Sequence, residues 1–312
     1  SETKISYSAL GGLRLLNEEE SIKLYRDTIS SVKDVYDKAE TDQEVAAESE
    51  NITIHVEKLV NQQCLGNNNI LNLINLPTDS DFIYTHVVNV CILSVEIGLG
   101  LEYDKAQLVE LGTIAVVHDI GMVKFRDLYK LPRKLSEHEY KRIKRHPEIG
   151  AEILEKFKGI YKKAISVVYQ EHERVDGSGY PRGLRNGAIN EYTKIIGVAD
   201  VYEALTHSRP HRVKNYAPES LKQIINMKNS FEKKILKVLL ERIGCPFSFG
   251  TYVKLNSREK GKIVKRNIKF PFRPIVEITY DSNGQMREKT KTIDLTKCPA
   301  LYIAGFLKSE EI

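Results

Sequence analysis

Four cysteines in 312 residues exclude a disulfide-stapled fold: Cys64, Cys91, Cys245 and Cys298 stand far apart without a Cys-x-x-Cys pair, and reduced thiols in a cytoplasmic protein are expected. Long apolar runs are missing too. The best, Val87 to Leu101, is broken by Asn89, Ser94 and Glu96 and is too short to cross a bilayer, so no membrane span is expected. The sequence does not open on a basic-then-apolar leader. Charge of one sign is not in great excess either: 47 Lys/Arg against 42 Asp/Glu give +5, too little to argue for a nucleic-acid polymer as partner. The surplus sits in the tail, where residues 250–312 hold 13 Lys/Arg and 7 Asp/Glu, a solvated face or a surface for an anionic ligand. At 41% apolar and 29% charged, the composition is that of a globular protein with one medium domain and smaller attachments.

What is present is organised around Gln170-Glu171-His172-Glu173-Arg174-Val175-Asp176-Gly177-Ser178-Gly179-Tyr180-Pro181. Ionisable groups close a predicted helix, and Gly177, Gly179 and Pro181 then force a tight loop, which builds a site rather than a core. His118-Asp119-Ile120-Gly121 ends the apolar segment Leu108 to Val117 in the same manner. With His86, His146 and Asp200 these residues suggest a divalent-metal cluster. An adjacent His and Asp can serve one ion through the imidazole and bridge to a second through the two carboxylate oxygens.

Helical spacing predicts helices from Asn17-Glu18-Glu19-Glu20 to about Lys38, from Thr41 to about Cys64, and from about Ser80 to Gly98 with His86, Val90, Leu93 and Ile97 on one apolar stripe. Further helices are expected from the Asp104 cap to Val117, from the Ser136 capping box to a restart at Pro147, over 160–170, over 193–206, and over 219–228 and 230–242. The front helices carry no visible chemistry and read as a dimerisation or regulatory stalk or as an outer layer. Beyond about Pro246 the period changes to short β runs at 252–255, 261–264, 274–280 and 291–295, with an Asp281-Ser282-Asn283-Gly284 turn. The expected division is 1–76, an N-terminal helical region; 77–245, a catalytic helical bundle; and 246–312, a small β-rich domain.

His86 with Asn89-Val90, His118-Asp119-Ile120-Gly121, His146-Pro147-Glu148-Ile149-Gly150, Asp176-Gly177-Ser178-Gly179-Tyr180-Pro181, Val198-Ala199-Asp200 and Arg209-Pro210-His211-Arg212 follow one another in the order seen in HD-GYP proteins. Over roughly 81–216 the chain resembles these cyclic di-GMP phosphodiesterases of the HD superfamily. The resemblance implies a mainly α fold, an HD-type helical bundle with N-terminal helices and a small C-terminal β domain. It implies hydrolysis of cyclic di-GMP to linear pGpG and GMP in bacterial signalling, with two divalent ions, Fe or Mn before Zn, as cofactors. It makes His86, His118, Asp119, His146, Glu171, His172 and Asp200 the metal ligands, His118 and Asp119 the catalytic pair, and Arg209, Arg212, Tyr180 and Lys124 the substrate contacts. A homodimer through the N-terminal helices is the partner expectation besides cyclic di-GMP. Three positions depart from the pattern: Glu171 replaces a histidine, Met122 replaces a phosphate-binding lysine for which Lys124 is the nearby substitute, and Phe82 stands where three-metal members carry a glutamate. The alternative is a cyclic di-GMP sensor that binds and barely cuts, to which Glu171 and Met122 point; another HD-superfamily hydrolase acting on nucleotides is the more distant reading.

Overall fold

The first helix begins where its cap allows. Asn17 accepts from the Glu20 amide (2.9 Å) and the Glu20 carboxylate accepts from the Asn17 amide (3.0 Å), a reciprocal pair that satisfies two donors a helix start leaves open. From there α1 (Glu18–Glu40) buries Leu24, Tyr25, Ile29, Val32, Val35 and Tyr36 along one face. The structure is a computed structural model and describes residues 13–43, 46–74, 76, 82–157, 161–207, 223–224, 226–227, 229–242, 250, 252–265, 267 and 273–307. The chain divides into two compact units, residues 1–238 and 239–312.

In the first unit, α1 and α2 (Ala46–Cys64) pack together and, with α3 (Asn68–Leu73), lie against α4 (Phe82–Gly100), whose main partners are α5 (Lys105–Val117) and α10 (Glu191–Thr206). The apolar stripe of α1 is therefore spent inside its own unit. Helix α4 is buried on every side from His86 to Gly98, so the one-sided stripe expected from the sequence is a fully enclosed core helix. The run Val87 to Leu101 is expected to be too short for a membrane, but the 19 residues of the helix are long and apolar enough to cross one; 83% of the apolar window is buried inside the protein, as in a core helix.

Helix α5 starts at the Asp104–Gln107 capping box and ends at Val117, leaving His118 and Asp119 at the turn into a 3-10 segment over Ile120–Phe125. After α6 (Arg126–Tyr129) comes α7 (Glu137–Ile143), capped by Ser136 and burying none of its side chains, and then α8 (His146–Glu155) with Pro147 in its first turn. Helix α8 packs on the 3-10 segment and on α9 (Lys163–Gln170). That approach requires glycine: a Cβ on Gly121 would stand 2.0 Å from the His146 carbonyl oxygen and 2.7 Å from the Gly150 nitrogen. Residues 158–160 and 208–222 lie outside the described residues, and with them the expected start of α9 and most of the helix expected at 219–228. The last helix, α11 (Lys233–Arg242), starts three residues after the expected Ser230.

The second unit is an antiparallel five-stranded sheet in the order β4-β3-β2-β1-β5, from β1 (Tyr252–Leu255), β2 (Lys260–Lys265), β3 (Ile275–Tyr280), β4 (Met286–Asp294) and β5 (Ile303–Phe306). Its core is Val253, Leu255, Ile263, Val276, Ile278, Ile293 and Leu295, one face of the period-two alternation. Strand β4 begins earlier than the sequence suggested, because its first seven residues, Met286 to Thr292, bury no side chain and so carry no apolar signal.

Gly121→Ala forces α8 away from backbone atoms that cannot rotate aside, and is expected to cost about 3 kcal/mol in urea unfolding, the upper range for overpacking. A loss below about 1 kcal/mol would show that this contact gives way.

Candidate metal centre

Three helix ends and two helix interiors bring the predicted residues together. His118 and Asp119 follow the last turn of α5, His146 opens α8, Glu171 caps α9 with His172 next to it, His86 comes from α4 and Asp200 from α10. Ligand atoms of Asp119, His146, Glu171 and His172 all lie within 4.8 Å of one another, and so do those of His86, His118 and Asp119. Asp119 belongs to both groups. Its Oδ1 is 3.2 Å from His146 Nε2, while its Oδ2 is 3.5 Å from His86 Nε2 and 3.8 Å from His118 Nε2. Asp200 Oδ1 closes the second group at 3.3 Å from His86 Nε2, and Glu171 Oε1 sits 3.0 Å from His146 Nε2. His146 and His172 bring their Nε2 atoms to 2.9 Å.

The imidazoles are aimed by their other nitrogen. His118 Nδ1 donates to the Ala115 carbonyl (2.7 Å) and His146 Nδ1 to the Ile143 carbonyl (2.6 Å), which leaves each Nε2 lone pair facing the cluster. His86 Nδ1 donates to Glu203 (2.5 Å). Glu203, 3% exposed, also accepts from Asn89 Nδ2 (3.1 Å), and Asn89 Oδ1 accepts from the Tyr25 hydroxyl (2.7 Å), so a buried chain runs from α1 to a candidate ligand.

His118 Nε2 and both Glu171 carboxylate oxygens are buried without a hydrogen-bond partner; the Glu171–His146 approach is close but lacks hydrogen-bond geometry. An ion accounts for such atoms better than hydrogen bonding does. Ligands held about 2.1 Å from one ion stand roughly 3.0–4.2 Å apart, the spacing found here. Burial opposes the charge on Asp119, yet His118, His146 and His86 hold its carboxyl well below the usual carboxylate range. Burial and the neighbouring His146 push His172 well below the ordinary imidazole value, so it presents a neutral ring, the form that ligates. Burial lifts Glu171 to about 7, with His146 pulling the other way.

A cavity of about 470 Å³ opens on this centre, with Asp119, His146, His172 and Asp200 in its lining beside Phe82, Met122, Lys134, Tyr140, Arg174 and Tyr180. The 171–184 loop is held against it by Glu173, buried, whose carboxylate accepts from the amides of Arg182 (2.7 Å) and Leu184 (2.8 Å). A Cβ on Gly179 would meet His172 O and Arg174 N at 2.4 Å, so only glycine lets the loop double back here. Tyr180 stacks on His172 (centroids 4.7 Å, 24° between planes) and carries the Lys144 ammonium 4.5 Å from its ring centroid.

One expectation meets different geometry. Lys124 does not line the cavity, because its ammonium is drawn to the Glu40 carbonyl (2.8 Å) and Asp42 (3.2 Å). Within the loop, Arg174 donates to the Glu171 and Glu173 carbonyls, and Asp176 accepts from Ser178 and Ser230. Arg209 and Arg212 lie outside the described residues. Sequence reasoning missed Glu173 and Glu203. The signal for Glu203 was its place three residues after Asp200 on a helix too apolar to carry two idle carboxylates.

Comparison with known proteins fits this picture. Residues 52–235, more than half of the chain, match the HD domain, and the chain belongs to the HD-domain family. Residues 252–312 match a KOW domain associated with HD domain. The chain is 28% identical over 245 residues to a cyclic di-GMP phosphodiesterase of Pseudomonas aeruginosa, covering 78% of this chain and 59% of that one. It is 36% identical over 180 residues to a 3′3′-cGAMP-specific phosphodiesterase of Vibrio cholerae, covering 53% and 39%. The chain thus spans well under two thirds of these relatives' length. Among solved structures an HDG"Y"P protein from Bdellovibrio bacteriovorus shares the fold, with TM-score 0.61 and 20% identity over 75% of this chain and 74% of that one. Divalent-metal binding is what the HD domain implies, and the cluster brings together residues able to hold such an ion.

Glu203→Gln keeps the shape but sets an amide donor against Asn89 or His86. It is expected to weaken metal affinity about 10–100-fold, measured as metal retained after dialysis against a competing chelator. Retention equal to the wild type would reduce Glu203 to a packing residue.

Proposed function

We infer that the chain is a phosphodiesterase that uses two divalent ions to hydrolyse cyclic di-GMP to linear pGpG and GMP. The observation that carries it is the sharing of Asp119 between two ligand groups on the wall of a cavity. His86, His118, Asp119 and Asp200 would hold one ion, and Asp119, His146, Glu171 and His172 the other, with Fe or Mn suited to the mixed nitrogen and oxygen set. When bound, such a pair supplies Lewis acidity and a clamp for the attacking and leaving oxygens of a diester. The protein's own part is to hold that geometry. Backbone carbonyls fix His118 and His146, Glu203 fixes His86, and Tyr180 stacked on His172 ties the loop to the centre. The curated relatives named for cyclic di-GMP support this substrate.

The relative named for 3′3′-cGAMP supplies the competing substrate. Manganese-loaded protein is expected to cleave cyclic di-GMP in preference to 3′3′-cGAMP, with pGpG preceding GMP by chromatography. Chelator or Asp119→Ala is expected to lower turnover by roughly a thousandfold or more. Preference for 3′3′-cGAMP would reassign the substrate, and an Asp119→Ala variant as active as the wild type would end the metal reading.

A further inference from the structure

The cavity beside the metal centre is lined by acceptors where the ions would sit and by very few cations elsewhere. Among its described lining residues only Lys134 and Arg174 carry positive charge. Arg174 is engaged, since its guanidinium donates to the Glu171 carbonyl (3.2 Å) and the Glu173 carbonyl (2.9 Å) and lies 5.4 Å from the Phe231 ring centroid. Lys124 faces Asp42 instead. Met122, in the lining, offers a thioether and no charge.

Lys134 differs from all of these. Its backbone is held in place: Arg133 makes a two-pronged pair with Glu139 (2.8 Å twice) and donates to the Lys134 carbonyl (3.1 Å), while Glu139 and Ser136 complete the α7 capping box. The Lys134 ammonium itself is exposed and takes no carboxylate, carbonyl or ring partner among the described residues. Neighbouring cations on the same segment are occupied, Arg133 by Glu139, Lys141 by Glu137, and Lys144 by the rings of Tyr140 and Tyr180. A cation on a held backbone, without a partner among the described residues and in a cavity whose other wall carries the candidate metal ligands, is suited to an anion that spans both.

A cyclic dinucleotide carries two phosphodiesters across one ring, and a site that cuts one at the ions must place the other. We propose that Lys134 binds the second, uncut phosphate of the substrate, a role that rests on the phosphodiesterase reading above. An ammonium on phosphate is a charge-assisted hydrogen bond, so its loss reads as roughly tenfold or more in apparent affinity.

The test compares wild type, Lys134→Met and Lys134→Arg as manganese-loaded full chains on cyclic di-GMP and on bis(p-nitrophenyl) phosphate, a diester with no second phosphate. Lys134→Met is expected to lower the ratio of kcat/KM for cyclic di-GMP to that for the small diester by roughly tenfold or more, mainly through KM, and Lys134→Arg to restore most of it. An equal fall on both substrates, or an unchanged ratio, overturns the proposal. Should wild type cleave neither substrate, the phosphodiesterase reading fails on its own. Calorimetric binding of cyclic di-GMP then still decides Lys134: a Kd that Lys134→Met leaves within twofold, or no binding to wild type, overturns the assignment.

Discussion

The helical unit depends on the double engagement of Asp119. Its two oxygens face different imidazoles, His146 on one side and His86 with His118 on the other, and His146 and His86 each bring a further carboxylate, Glu171 and Asp200. Three acids so close together in a buried place would cost several kcal/mol each if left uncompensated. Cations shared through Asp119, as proposed above, would remove that cost.

The rest of the bundle reads as support for that arrangement. Gly121 lets α8 come close enough for His146 to reach Asp119, Gly179 lets the loop fold back over His172, and Glu173 ties its far end by two backbone amides. The chain from Tyr25 through Asn89 and Glu203 to His86 brings α1 into the support, although the HD match starts only at residue 52. Helix α1 is thus chemically connected to the centre as well as packed on it.

Much of this was legible from residue order. His118-Asp119 at a helix end, His146 before Pro147, and Glu171-His172 before a Gly-rich loop are local patterns, because a ligand at a helix terminus is marked by the breaker beside it. The β unit was legible from its period. Other features were not, because they depend on contacts far apart in sequence. Lys124 looked available until Asp42 and the Glu40 carbonyl took its ammonium across 82 and 84 residues, and Glu203 has its partners 114 and 117 residues away. The full enclosure of α4 was hidden for a related reason: Asn89, Ser94 and Glu96 look like a polar face until their buried surroundings are known.

The most direct test of the central claim is anomalous diffraction from crystals of protein purified without a chelating tag and loaded with manganese. Two ions within about 4 Å of each other, each bound to a different oxygen of Asp119, are the predicted result. A single ion, or two ions neither of which touches Asp119, would contradict it.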